Sequence, residues 1–264
     1  MEVANKVAVI TGAASGIGAG LAKRFAQEGA AGLVVADLDL DGVRRVADDI
    51  GQSAMAIQCD VSREDNIQRL VGAARERFGR VDIYISNAGI PPMPGGFDLE
   101  DLYWERMWNI HGMAHVWAAR AVLPEMLQRG EGYFLITSSA AGLLSIVESA
   151  PYAVSKHAAV ATAEWMRIAY GRRGIRVSCL CPQAVHSGMT TNGAGSAGGD
   201  AMLTPEQVAE KVVDAMRDER FLVLSHPETH GYWEAKVRDY DRWLGGMQKL
   251  YAGYWSDSRM GAAE

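Results

Sequence analysis

Short aliphatic and β-branched runs alternate along this chain with amphipathic stretches of about 12 to 20 residues, and few folds accept that rhythm. The runs fall at 7–10, 32–36, 54–58, 83–86, 132–137 and 176–181, with 221–224 last. They show no polar alternation, which suits strands buried on both faces. Helical spacing of apolar residues predicts helices over 16–28, 40–50, 63–78, 99–128, 151–172 and 205–218. Repeated βαβ units imply a parallel sheet covered by helices on both sides, a doubly wound α/β/α arrangement in three layers. No repeat or extended linker separates two cores, so residues 1–264 read as a single domain.

Composition narrows the partners. The chain is 48% hydrophobic and 22% charged, which excludes a disordered or fibrous polymer. A net charge of −6 argues against a nucleic-acid or anionic-membrane surface. Three cysteines, Cys59, Cys179 and Cys181, make no disulfide framework and point to reduced thiols and a cytoplasmic setting. Cys179 and Cys181 alternate along one strand and read as core residues. The first residues lack a basic segment followed by an apolar stretch, so no secretory signal is expected. No apolar run approaches the roughly 20 residues that a membrane helix needs.

Two segments break the alternation. Residues 187–203 are rich in Gly, Ser and Ala and read as a lid over a site. The extension over 227–264 carries Tyr232, Trp233, Tyr240, Trp243, Tyr251, Tyr254 and Trp255 and should dock on its own subunit or a neighbour.

The first run leads straight into Thr11-Gly12-Ala13-Ala14-Ser15-Gly16-Ile17-Gly18, and Leu21, Ala22 and Phe25 then recur at helical spacing. A strand, a glycine turn and a helix start can cradle a pyrophosphate, because glycines admit the anion and free N–H groups face it. Tight helix–strand packing calls for glycines at such a turn as well. The second run ends in Asp37, placed to accept hydrogen bonds from an adenosine ribose, although acids at strand ends are also simply solvated. A carboxylate there repels a 2′-phosphate, and neither Ala14 nor Leu38 supplies a compensating cation, so NAD is expected over NADP.

Tyr152 and Lys156 stand four apart on a predicted helix and share one face. An ammonium beside a phenol favours phenolate, which can take a proton from an alcohol or return one to a carbonyl. Surface neighbours show the same spacing, so the pair gains meaning only from its company.

That company is ordered. Thr11-Gly12-x-x-x-Gly16-x-Gly18, Asp60-Val61, Ser86-Asn87-Ala88-Gly89, Asn109, Ser138-Ser139-x-x-Gly142 and Tyr152-x-x-x-Lys156 together resemble the short-chain dehydrogenase/reductase family over about residues 5–225. The resemblance implies a Rossmann fold and reversible hydride transfer between a nicotinamide cofactor and an alcohol or carbonyl. It implies Tyr152 as acid/base, Lys156 holding the nicotinamide ribose and lowering the phenol's pKa, and Ser139 binding the substrate oxygen, with Ser138 the adjacent competitor. Asn109 would hold a water in the proton path, or satisfy a helix kink. Cofactor contacts would come from Gly12, Ser15, Gly16, Ile17, Gly18, Asp37, Asp60, Val61, Asn87, Ala88, Gly89, Tyr152, Lys156, Pro182, Val185 and Ser187. Ile10 and Thr11 read as structural.

The pattern departs after the sixth strand, where Pro182-Gln183-Ala184-Val185-His186-Ser187 puts Gln183 at the family's glycine and adds a long polar side chain near the nicotinamide or substrate. His111 with His115, and His226 with His230, sit four apart but lack further ligands, so they read as solvated or interface histidines and no metal is expected. The expected function is an NAD-dependent secondary-alcohol dehydrogenase, on an apolar or aromatic substrate, in a homotetramer or homodimer. The rivals are an NADP-dependent ketone or acyl-thioester reductase and a cofactor-binding regulatory protein without turnover.

Overall fold

A computed structural model describes residues 1–190 and 199–256. Seven strands form one all-parallel sheet: β1 Val7–Thr11, β2 Gly32–Asp37, β3 Ala54–Gln58, β4 Ile83–Ser86, β5 Gly132–Thr137, β6 Ile175–Leu180 and β7 Leu222–Val223. Their order is β3-β2-β1-β4-β5-β6-β7. Every residue of β1, β4 and β5 is buried, as continuous apolar runs demand of central strands. The edge strand β3 is half-exposed.

Helices cover both faces. Helices α1 (Gly16–Gln27) and α2 (Leu40–Ile50) pack one side through Leu21, Phe25, Val43 and Val46. On the other lie α3 (Glu64–Phe78), α4 (Asp101–Trp108) and α5 (Ala114–Arg129). A four-residue α6 (Ala141–Leu144) precedes α7 (Ala150–Tyr170), whose Ser149 cap accepts from Tyr152 N–H at 3.4 Å. Helix α8 (Pro205–Arg217) starts on a reciprocal Thr204/Gln207 box and joins the α1 side. This is the single-domain, doubly wound sheet that the alternation predicts. The strand order reverses between β1 and β4, the place where a doubly wound sheet leaves a crevice beyond its C-terminal strand ends. Among the described residues, no helix is long and apolar enough to cross a membrane.

One expectation needs correction. The single helix over 99–128 is broken by a π turn, Asn109–Met113, in which Ala114 N–H reaches back five residues to the Asn109 carbonyl. The aromatic extension folds as two helices, α9 (Glu228–Arg238) and α10 (Tyr240–Ser256). Helix α9 docks, burying Thr229 and Lys236, whereas α10 contributes no buried residue and leaves Tyr240, Leu244, Leu250 and Tyr251 exposed. The middle of the expected lid, 191–198, and the end of the extension, 257–264, lie outside the described residues.

Candidate functional site

The crevice is walled on one side by the glycine turn. Gly16 has φ +55°, and a Cβ there would come 2.9 Å from Ser187 Cβ. A Cβ on Gly18 would overlap the Gly12 carbonyl. Ser15 caps α1 without a side-chain bond, so the first-turn amides around Ile17 are left without a side-chain cap. Thr11 Oγ1 accepts from Asn87 N–H (3.0 Å) and Ala88 N–H (3.2 Å), while the Asn87 amide donates to the Thr11 carbonyl at 2.9 Å. Thr11 and Asn87 therefore lock the end of β4 to the end of β1, and Gly89 follows beside His111. Asp37 accepts from the Ala14 and Asp39 amides, both at 3.1 Å, which fixes its carboxylate at the rim of the turn. Asp60 caps its own loop through Ser62, and Val61 is buried in the core.

The opposite wall carries the reactive groups. Tyr152 and Lys156 project from adjacent turns of α7, with Lys156 Nζ 5.5 Å from the phenol ring centre. The Ser139 hydroxyl, which accepts from Ala141 N–H at 3.1 Å, stands close enough to the Tyr152 phenol to favour its ionised form. Ser138 turns the other way and donates to the Lys156 carbonyl at 2.8 Å. Gly142 allows that approach, because a Cβ there would sit 2.5 Å from the same carbonyl. Burial raises the Tyr152 phenol, opposed by the nearby Ser139 hydroxyl. Burial also pulls Lys156 down to about 8, and its ammonium donates to the Thr137 carbonyl at 3.3 Å. In the protein alone the phenol is thus not depressed as the spacing suggests, because desolvation dominates.

The loop after β6 closes the crevice. Pro182 O accepts from Ala140 N–H at 2.8 Å. Gln183 does not face the nicotinamide region: its amide donates to Thr229 Oγ1 of α9 at 2.9 Å. His226, 3% exposed, accepts the Gln183 backbone N–H on Nδ1 (3.3 Å) and contacts the Ala201 carbonyl through Nε2 (3.1 Å). Val185 pairs with Leu203, so the two ends of the expected lid meet in a neck. Ser187 lies against Gly16 and accepts from Met189 N–H at 3.3 Å.

A scan against family models matches residues 6–195 to the short chain dehydrogenase model. The chain belongs to the short-chain dehydrogenase/reductase family. It is 37% identical to 1-deoxy-11-beta-hydroxypentalenate dehydrogenase of Streptomyces exfoliatus, over 86% of each chain. It is 33% identical to epidermal retinol dehydrogenase 2 of Mus musculus, over 83% of this chain and 73% of that one. A short-chain dehydrogenase/reductase from Burkholderia phymatum, solved in complex with NAD, superposes with a TM-score of 0.84 at 28% identity, over 91% of this chain and 96% of that one. The protein is accordingly an oxidoreductase with a nicotinamide cofactor. The uncapped amides at α1, the Gly16 cradle and the Asp37 rim fit the diphosphate and ribose of such a dinucleotide.

The histidines are what sequence reasoning missed in this short-chain dehydrogenase/reductase. His111 and His115 are 0% and 1% exposed, neither solvated nor at an interface. His111 bonds Ile90 and Ser155; His115 bonds Ser86 Oγ at 2.7 Å. Burial and Lys156 lower both, His115 to about 3, so both are neutral. Among the described residues no group of three or more His, Cys, Asp or Glu converges as a metal site. Asn109 opens the π turn that aims His111 inward, and the signal for it, an extra residue in an otherwise regular helix, is invisible in residue spacing alone.

Proposed function

We propose that this enzyme transfers hydride between NAD and a secondary alcohol or its ketone, on a largely apolar substrate. The observation that carries the reading is the buried Tyr152 with Lys156 one helical turn away, its Nζ 5.5 Å from the phenol ring centre, and Ser139 beside the phenol. The bound nicotinamide supplies the hydride acceptor or donor. Ser139 holds the substrate oxygen, and Tyr152 as phenolate takes the hydroxyl proton in oxidation and returns it in reduction. Lys156 stabilises that phenolate and binds the nicotinamide ribose, while Asn109 holds a water that continues the proton path. Asp60, Val61, Asn87, Ala88, Gly89, Pro182, Val185 and Ser187 complete the cofactor contacts. Asp37 favours NAD, since a 2′-phosphate beside its carboxylate meets like charge.

Relatives named for hydroxypentalenate and retinol, both hydroxylated hydrocarbon skeletons, support the substrate class. The segment 187–203 acts as the lid. An apolar groove of about 750 Å³ between α5 and α7, lined by Leu123, Leu127, Trp165, Met166 and Tyr170, supports a homodimer or homotetramer through those helices. Light scattering giving a monomer at micromolar concentration would overturn the assembly. For the chemistry, Tyr152→Phe should cut turnover of a secondary-alcohol panel by about a thousandfold while NADH affinity stays within about twofold. Turnover that survives the substitution refutes Tyr152 as acid/base.

A further inference from the structure

His111 touches three parts of the site at once. It sits in the π turn, fully buried. Its Nε2 accepts the Ile90 backbone N–H at 3.0 Å, immediately after the cofactor-facing Asn87–Gly89 segment. An amide can only donate, so the imidazole proton resides on Nδ1. That N–H lies 3.2 Å from Ser155 Oγ and donates to it, and Ser155 in turn donates to the Tyr152 carbonyl at 3.1 Å. The imidazole also meets the Tyr152 ring edge-to-face, with centroids 5.3 Å apart and planes at 83°. The fit is close: a Cβ on Gly89 would come 3.3 Å from Nε2. The titratable groups around it are Tyr152, Lys156 and His115.

We propose that His111 is a positioning residue that holds the Tyr152 ring in the orientation where its hydroxyl meets Ser139, and ties that ring to the loop beneath the nicotinamide. The role rests on Tyr152 acting as acid/base. One neutral imidazole replaces two separate supports: it fixes the backbone of the loop at Ile90 and the start of α7 through Ser155. Its ring edge then limits the rotation left to the phenol. Losing it frees the Tyr152 ring, and with the ring goes the nearness of Ser139 that favours the ionised phenol.

The test is the titration of Tyr152 by NMR of ring-labelled tyrosine, assigned with Tyr152→Phe, alongside kcat and NADH affinity. His111→Phe keeps an aromatic ring of similar reach and removes both nitrogens. It should raise the Tyr152 midpoint by about one pH unit and lower kcat about tenfold to a hundredfold, with NADH affinity within about threefold. Ser155→Ala should move both in the same direction by less. His111→Gln, which can still accept from Ile90 and donate to Ser155, should recover part of kcat. A Tyr152 titration and kcat that superpose on wild type in the folded His111→Phe protein overturn the proposal. If that variant does not fold, a Tyr152 titration and kcat in Ser155→Ala that superpose on wild type overturn it equally. A wild-type protein that turns over no alcohol defeats the proposed function instead, and the titration still decides the part played by His111.

Discussion

The two walls of the crevice are held by different means. On the wall of the glycine turn, side chains are tied to backbone: Thr11, Asn87 and Asp37 spend their polar groups on neighbouring amides and carbonyls. On the other wall, the C-terminal extension is tied to the body through single side-chain bonds. Gln183 meets Thr229, Lys236 donates to the Leu143 carbonyl, and the Trp255 indole donates to the Val147 carbonyl at 3.3 Å. If the proposed function holds, the first wall binds the cofactor and the second shapes the substrate pocket.

The largest test of that contrast is Gly16→Val. A β-branched residue at φ +55°, against Ser187, should weaken NADH binding by about a hundredfold and cost about 3 kcal/mol of stability, read by cofactor fluorescence and thermal melts. Asp37→Ala comes next. It should shift the ratio of kcat/KM for NAD over NADP by at least about tenfold toward NADP; an unchanged ratio would remove Asp37 from cofactor choice.

Lys156→Met sharpens the comparison through stability. The folded pKa of about 8 lies below the ordinary lysine value of 10.5, so the buried ammonium destabilises the fold at every pH below 8 and less as pH rises toward 10.5. At pH 7 the charge costs about 3 kcal/mol, partly offset by the Thr137 bond, so the variant should lose turnover yet melt about 5 °C higher. A lower melting temperature would show that the lysine supports the fold. The smallest effect belongs to Trp255→Ala: KM for a bulky alcohol should rise about threefold to tenfold, with NADH affinity and kcat for a small alcohol unmoved. A change in NADH affinity would mean that the walls are not independent.

What could be read in advance follows the same division. Strand positions agree with the apolar runs to within a residue or two, because a strand buried on both faces has no freedom to be polar. The glycine turn and the Tyr152/Lys156 pair are local patterns with local geometry. Gln183 was legible as a departure but not in direction, since its partner lies 46 residues further along. The burial of His111 and His115 was hidden because a solvated helical pair and a buried one share the same spacing. The residues by which α9 docks, Thr229 and Lys236, were not legible, because composition does not say which side of a helix meets the body.

The π turn has a consequence on the outside of the molecule. One added residue rotates everything after it by about 100° around the helix axis. The insertion that points an imidazole inward therefore also sets the phase of α5, and so chooses Leu123 and Leu127 as the stripe facing the outer groove. Deleting a single residue there would dephase the interior and the exterior together, so neither surface can drift in evolution without the other.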